Sequence, residues 1–206
     1  MSAARSCRTS RQARPPQPAL PGAALDDLRF IRETMERSAT FTAVPGWGMV
    51  MVGATALLAG LLAARQATAA RWAAIWLGEA CFAVAIASLA ISVKSQRQGM
   101  PLWNGPARKV AFGFLPAAGA AVVLTVVFYR AGLTANLPGL WCLLYGAAVV
   151  SGGIASVPAV PVMGACFLAS GVAALWLPGR GNMLMTGSFG LLHILFGVLI
   201  ARRHGG

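Results

Sequence analysis

The stretch Trp72–Val93, WAAIWLGEACFAVAIASLAISV, decides how the rest of the chain is read. Its one charged residue is Glu79. As a helix rising about 1.5 Å per residue it is about 33 Å long, enough to cross the hydrocarbon core of a bilayer. Five more apolar runs share the chain with it: Val44–Ala64, Val110–Tyr129, Leu137–Val157, Val160–Trp176 and Met183–Ala201. The expected fold is therefore all-α, a polytopic membrane protein with six transmembrane helices over residues 42–206. The link from Ser156 to Pro161 is short, so the fourth and fifth spans should form a close hairpin.

The composition agrees. Of the 206 residues, 57% are apolar and 11% charged. A soluble domain is roughly 45–50% apolar and about 25% charged. A mean hydropathy of +0.69 points the same way. These values exclude a soluble globular enzyme, and equally an acidic disordered chain. Four of the five carboxylates (Asp26, Asp27, Glu33, Glu36) precede residue 40, and Glu79 is the one that follows.

The net charge of +12 looks like a nucleic-acid footprint, but its distribution says otherwise. Arg5, Arg8, Arg11, Arg14, Arg29, Arg32 and Arg37 precede the first span. Lys94, Arg97, Arg108 and Lys109 flank the loop after the second, and Arg202 and Arg203 follow the last. Arg65, Arg71, Arg130 and Arg180 lie on the opposite side. Thirteen of the 17 basic residues thus collect on one face. Basic residues stay on the cytoplasmic side. Both termini are expected in the cytoplasm, with the chain in the cytoplasmic (inner) membrane of a bacterium. The expected partners are the bilayer lipids, and no nucleic acid. Lys94, Arg97, Arg108 and Lys109, mixed with Met100, Leu102 and Trp103, suit contact with anionic lipid headgroups. Orientation alone requires the same residues.

Residues 1–24 are basic and rich in proline, with no apolar run long enough for a secretory signal peptide. They read as a disordered tail. Residues 25–41 change character. Leu25, Leu28, Ile31, Met35 and Ala39 share a helical stripe, and Arg29/Glu33, Arg32/Glu36 and Glu33/Arg37 pair at i,i+4. This is an amphipathic helix expected to lie on the membrane surface.

A faint repeat runs through the spans. The odd ones carry Pro-x-x-Gly near their start (Pro45/Gly48, Pro116/Gly119, Pro161/Gly164). The even ones each carry one conspicuous polar residue: Glu79, Tyr145 and His193. Three tandem helical hairpins in one orientation follow. The last hairpin carries Gly164-x6-Gly171, then Ala173-Ala174-Leu175-Trp176-Leu177-Pro178, then Gly187-x-x-Gly190-x6-Gly197. Over residues 161–201 this resembles one repeat of the HdeD-type small membrane proteins. The resemblance implies three such hairpins and a part in acid-stress tolerance, and it supplies no catalytic residues. The loops 66–71 and 131–136 lack the mid-hairpin proline that Pro178 provides.

Glu79 is the sharpest feature. It lies seven residues after Trp72, so about 10 Å inside the end of its span. A carboxylate there must face the bundle interior, be protonated or have a partner. Tyr145 lies eight residues after Leu137, and His193 ten after Met183. The three spans run the same way, so Glu79, Tyr145 and His193 are expected to meet in one intramembrane polar cluster. Each also has a plainer reading, as a packed or locally hydrogen-bonded side chain.

Other chemistry lacks its residues. A bis-His haem site needs two intramembrane histidines, and His204 lies beyond the last span. No H-x-x-x-H, H-E-x-x-H or C-x-x-C pattern occurs, so no metal or cofactor is expected. The small-residue rows Ala147/Ser151/Ala155, Ala148/Gly152 and Ala165/Ala169/Ala173 suit close helix packing, within the chain or in a homo-oligomer. The functional expectation is a non-enzymatic, stress-related, scaffolding or regulatory membrane component. The alternative is a small proton- or cation-linked transporter or channel using Glu79.

Overall fold

A computed structural model describes residues 26–31, 35, 44–97, 99 and 105–204. The expected tail, residues 1–24, lies outside this set. The chain divides into two units, Met1–Glu36 and Arg37–Gly206. In the first, residues 26–31 and Met35 are helical and exposed. The rest of the expected surface helix lies outside the described residues.

Among the described residues, the second unit holds six helices long and apolar enough to cross a membrane. They are α1 (Gly46–Ala63), α2 (Ala69–Arg97), α3 (Gly105–Arg130), α4 (Leu137–Gly153), α5 (Ala159–Trp176) and α6, in chain order. Helix α6 is built from Gly181–Thr186, a π-helical turn Gly187–Leu192, and His193–His204. The molecule is an all-α polytopic membrane protein. Large apolar side chains such as Leu58, Phe82, Leu89, Phe112, Val122 and Leu195 are exposed, as lipid-facing positions are.

Successive helices pack as hairpins, α1 on α2, α3 on α4 and α5 on α6. The short link holds α4 and α5 together as the expected close hairpin, and glycines make their closest approach. On α4, Gly139, Gly146 and Gly153 recur every seventh residue, and so do Gly164 and Gly171 on α5. A Cβ added at Gly146 would fall 2.9 Å from the Gly164 carbonyl oxygen, and one at Gly171 would fall 3.0 Å from that of Gly139. The second seam joins α1 to α6. Gly46, Gly53 and Gly60 face Gly197 with Ala201, Gly190 with Ile194, and Thr186. A Cβ at Gly53 would lie 2.6 Å from the Gly190 carbonyl oxygen. In both seams one number rises as the other falls, so each pair is antiparallel. Helices in lipid gain little from hiding apolar surface, so backbone contact through small residues holds them.

Of the rows expected from the i,i+4 spacing, Ala148/Gly152 is buried, and a Cβ at Gly152 would fall 2.9 Å from the Val110 carbonyl oxygen of α3, but the other two lie partly on open faces. Ala165 and Ala169 are exposed, and so is Ser151. The three Pro-x-x-Gly motifs also differ in place. Pro45 precedes α1 and Pro161 lies in the first turn of α5, but Pro116 is inside α3, which begins five residues before the expected span. No neighbour approaches a Cβ at Gly119 within 4 Å.

Helices α2 and α3 are peripheral. The buried residues of α2 are Ala73 and Trp76 at one end and Lys94 and Ser95 at the other. In α3 only Pro106 is buried. Helix α3 stops at a Schellman turn. Leu133 N–H donates to the Phe128 carbonyl at 2.9 Å and Gly132 N–H to that of Tyr129 at 3.2 Å. Gly132 takes the left-handed φ of +73° that this turn requires.

Candidate functional site

Helices α4 and α6 run in the same direction, and their polar residues meet. Tyr145 Oη lies 2.7 Å from His193 Nε2. Phe167, fully buried on α5, lies 4.8 Å from the Tyr145 ring centroid and 5.0 Å from that of Phe189. Phe189 stacks on His193 at 13° between planes, and Phe114 of α3 meets Tyr145 edge-on. Aromatic rings pack readily in such tilted and edge-to-face arrangements. The result is an aromatic cluster around one polar pair at the π-helical turn of α6, with Phe167 and His193 buried and Phe114, Tyr145 and Phe189 half-buried. His193 Nδ1 has no hydrogen-bond partner among the described residues. Beside it, the Ser188 and Ser170 hydroxyls bond each other across α5 and α6, and Ser188 reaches the Leu184 carbonyl at 2.9 Å. π-helical turns occur frequently at functional sites.

Glu79 is not a member of this pair, which corrects the expected trio. The inward residues of α2 are Trp72 and Trp76. Both indoles donate to Asn182 Oδ1, at 2.8 and 3.1 Å. Asn182 Nδ2 in turn donates to the Gly60 carbonyl at 3.2 Å, so one amide ties α2 and α6 to α1. Trp72 also stacks on Trp141, whose indole donates to Thr125 of α3 at 2.7 Å. This knot sets the rotation of α2, and the rotation turns Glu79 toward α1 instead of toward α4 and α6. Asn182 was not singled out as a candidate. The available signal was an amide at the head of an apolar span, which seeks a partner on another helix.

On the α1 side, Glu79 Oε1 lies 2.8 Å from Thr55 Oγ1. The two groups share a groove of about 300 Å³ lined by Leu58, Ala59, Leu62, Ile75, Gly78 and Phe82. Thr55 Oγ1 also lies 3.0 Å from the Val52 carbonyl and 3.2 Å from that of Met51. A hydroxyl has one proton and two lone pairs. With Glu79 ionised, Thr55 donates to it. With Glu79 neutral, the acid donates to Thr55, which donates back to its own helix. Either protonation state keeps the contact.

The four basic residues assigned to lipid headgroups divide. Arg97, Arg108 and Lys109 are exposed. Lys94 is buried, and its Nζ donates to the Val44 carbonyl at 2.8 Å. That corrects the headgroup assignment for Lys94: it satisfies the backbone where α1 begins. Among the described residues no three His, Cys, Asp or Glu side chains come together as metal ligands would. Comparison of the chain with known families, with curated proteins and with solved structures finds no match.

Proposed function

We propose that this chain is a non-enzymatic scaffolding or regulatory component of a bacterial cytoplasmic membrane, with both termini in the cytoplasm. The resemblance of residues 161–201 to the HdeD-type hairpin adds a stress-related role. One observation carries the reading against a conducting pore. The Tyr145–His193 pair packs among Phe114, Phe167 and Phe189, and Glu79 lies apart from it in a groove on the α1/α2 side. A proton or cation path through the bundle needs its polar groups in line, and here the carboxylate is off the line. The basic residues collected on one side support the orientation.

The test is reconstitution into liposomes holding a trapped pH-sensitive dye. Wild type and Glu79→Gln should both leak protons at the rate of protein-free vesicles. A flux that wild type supports and Glu79→Gln abolishes would overturn the reading in favour of a proton-linked transporter.

A further inference from the structure

We propose that the α1/α2 groove at Glu79 binds a small lipophilic monocation that enters from the bilayer. The groove joins two features that such a molecule needs. Leu58, Leu62, Ile75 and Phe82 form an apolar wall, and one carboxylate stands among them. A volume of about 300 Å³ is at the lower end of the range for small-molecule sites. Leu58, Leu62 and Phe82 are exposed, so the groove opens laterally.

Charge complementarity identifies the occupant. Among the described residues the hydrogen-bond partner of Glu79 is a neutral hydroxyl, Thr55, and no cation pairs with it. An ionised carboxylate in hydrocarbon requires a positive partner, and none comes from this chain. Thr55 holds Glu79 in place in either state, so a bound cation can exchange with a proton without loss of that contact. Phe82 offers an aromatic ring to the same cation. Depth separates this occupant from a lipid. Glu79 lies about 10 Å below the Trp72 end of the span, whereas a phospholipid ammonium stays at the interface. The occupant therefore carries its charge on an apolar body. Because the site is lateral, it stands whether or not the bundle is proton-tight.

The test uses the purified full-length chain in nonionic detergent, with equilibrium dialysis against radiolabelled tetraphenylphosphonium. Only variants that elute as wild type on size exclusion are compared. Wild type should bind about one cation per chain. Glu79→Gln, nearly isosteric, should lower the affinity at least about 10-fold. Leu62→Trp keeps the carboxylate but fills the groove, and should lose binding to a similar extent. Neutral triphenylphosphine oxide should not distinguish wild type from Glu79→Gln. The proposal is overturned if wild type does not bind the cation, or if either substitution leaves binding unchanged. It is equally overturned if the chain elutes as a dimer whose groove excludes the probe.

Discussion

At the scale of single residues, the Tyr145–His193 bond carries a definite cost. Tyr145→Phe removes the only partner of His193 Nε2 and leaves the whole ring without a hydrogen bond among the described residues. A stranded buried group costs roughly 1–3 kcal/mol in soluble proteins, with values nearer 0.6 kcal/mol common for bonds between membrane helices. Tyr145→Phe should therefore unfold at lower SDS fraction than wild type. Adding His193→Leu should restore part of the loss, because removing both partners is cheaper than stranding one. Equal and additive losses would show that the two side chains do not depend on each other. Tyr145 and His193 were legible as a pair, because equal depth on helices of equal direction is visible in the numbering. Glu79 was equally placed in depth but not in rotation. Rotation of α2 is set by two indoles that share one amide oxygen on α6, and an apolar helix gives no sequence signal for that.

At the scale of helices, the glycine seams predict a sharp contrast. Gly146→Ala brings a methyl to 2.9 Å from a backbone oxygen of α5, and no side chain can move aside. Helices α4 and α5 must separate, at a cost of roughly 1–3 kcal/mol. Gly53→Ala should behave alike against α6, where the obstacle is the Gly190 carbonyl. Gly119→Ala on α3 meets nothing within 4 Å and removes a flexible residue from a helix. It should be neutral, or stabilising by up to about 1 kcal/mol. Thermal unfolding in detergent ranks the three. The existence of all six helices was readable from apolar length alone. The seams were also present in the sequence, as glycines seven residues apart at 46/53/60, 139/146/153, 164/171 and 190/197. The rows of small residues four apart fall partly on exposed faces. Chain order and the short 154–158 link made the α4/α5 contact legible, whereas the contact of α1 with α6, the first and last spans, has no such signal. Which small residues face a partner is decided by packing between hairpins, and the local pattern does not contain it.

At the scale of the molecule, charge placement and packing make separate statements. The uneven basic residues predict that residues 65–71, 131–136 and 177–182 face away from the cytoplasm. In a background without native cysteines, Thr68→Cys should react with a membrane-impermeant maleimide added to intact cells, and Arg97→Cys should not. The reverse pattern would invert the orientation. The packing statement concerns the polar groups. Those of the interior form a knot at Asn182 and a pair at Tyr145–His193, while Glu79 sits with Thr55 in a lateral groove. The account rests on that separation. A double-mutant cycle between Glu79→Gln and His193→Leu, read by SDS unfolding of the full-length chain, tests it most directly. Sites with no shared partner add to within about 0.3–0.5 kcal/mol. The separation predicts additivity within that margin. A coupling above about 1 kcal/mol would place Glu79 in the same network as His193 and contradict the account.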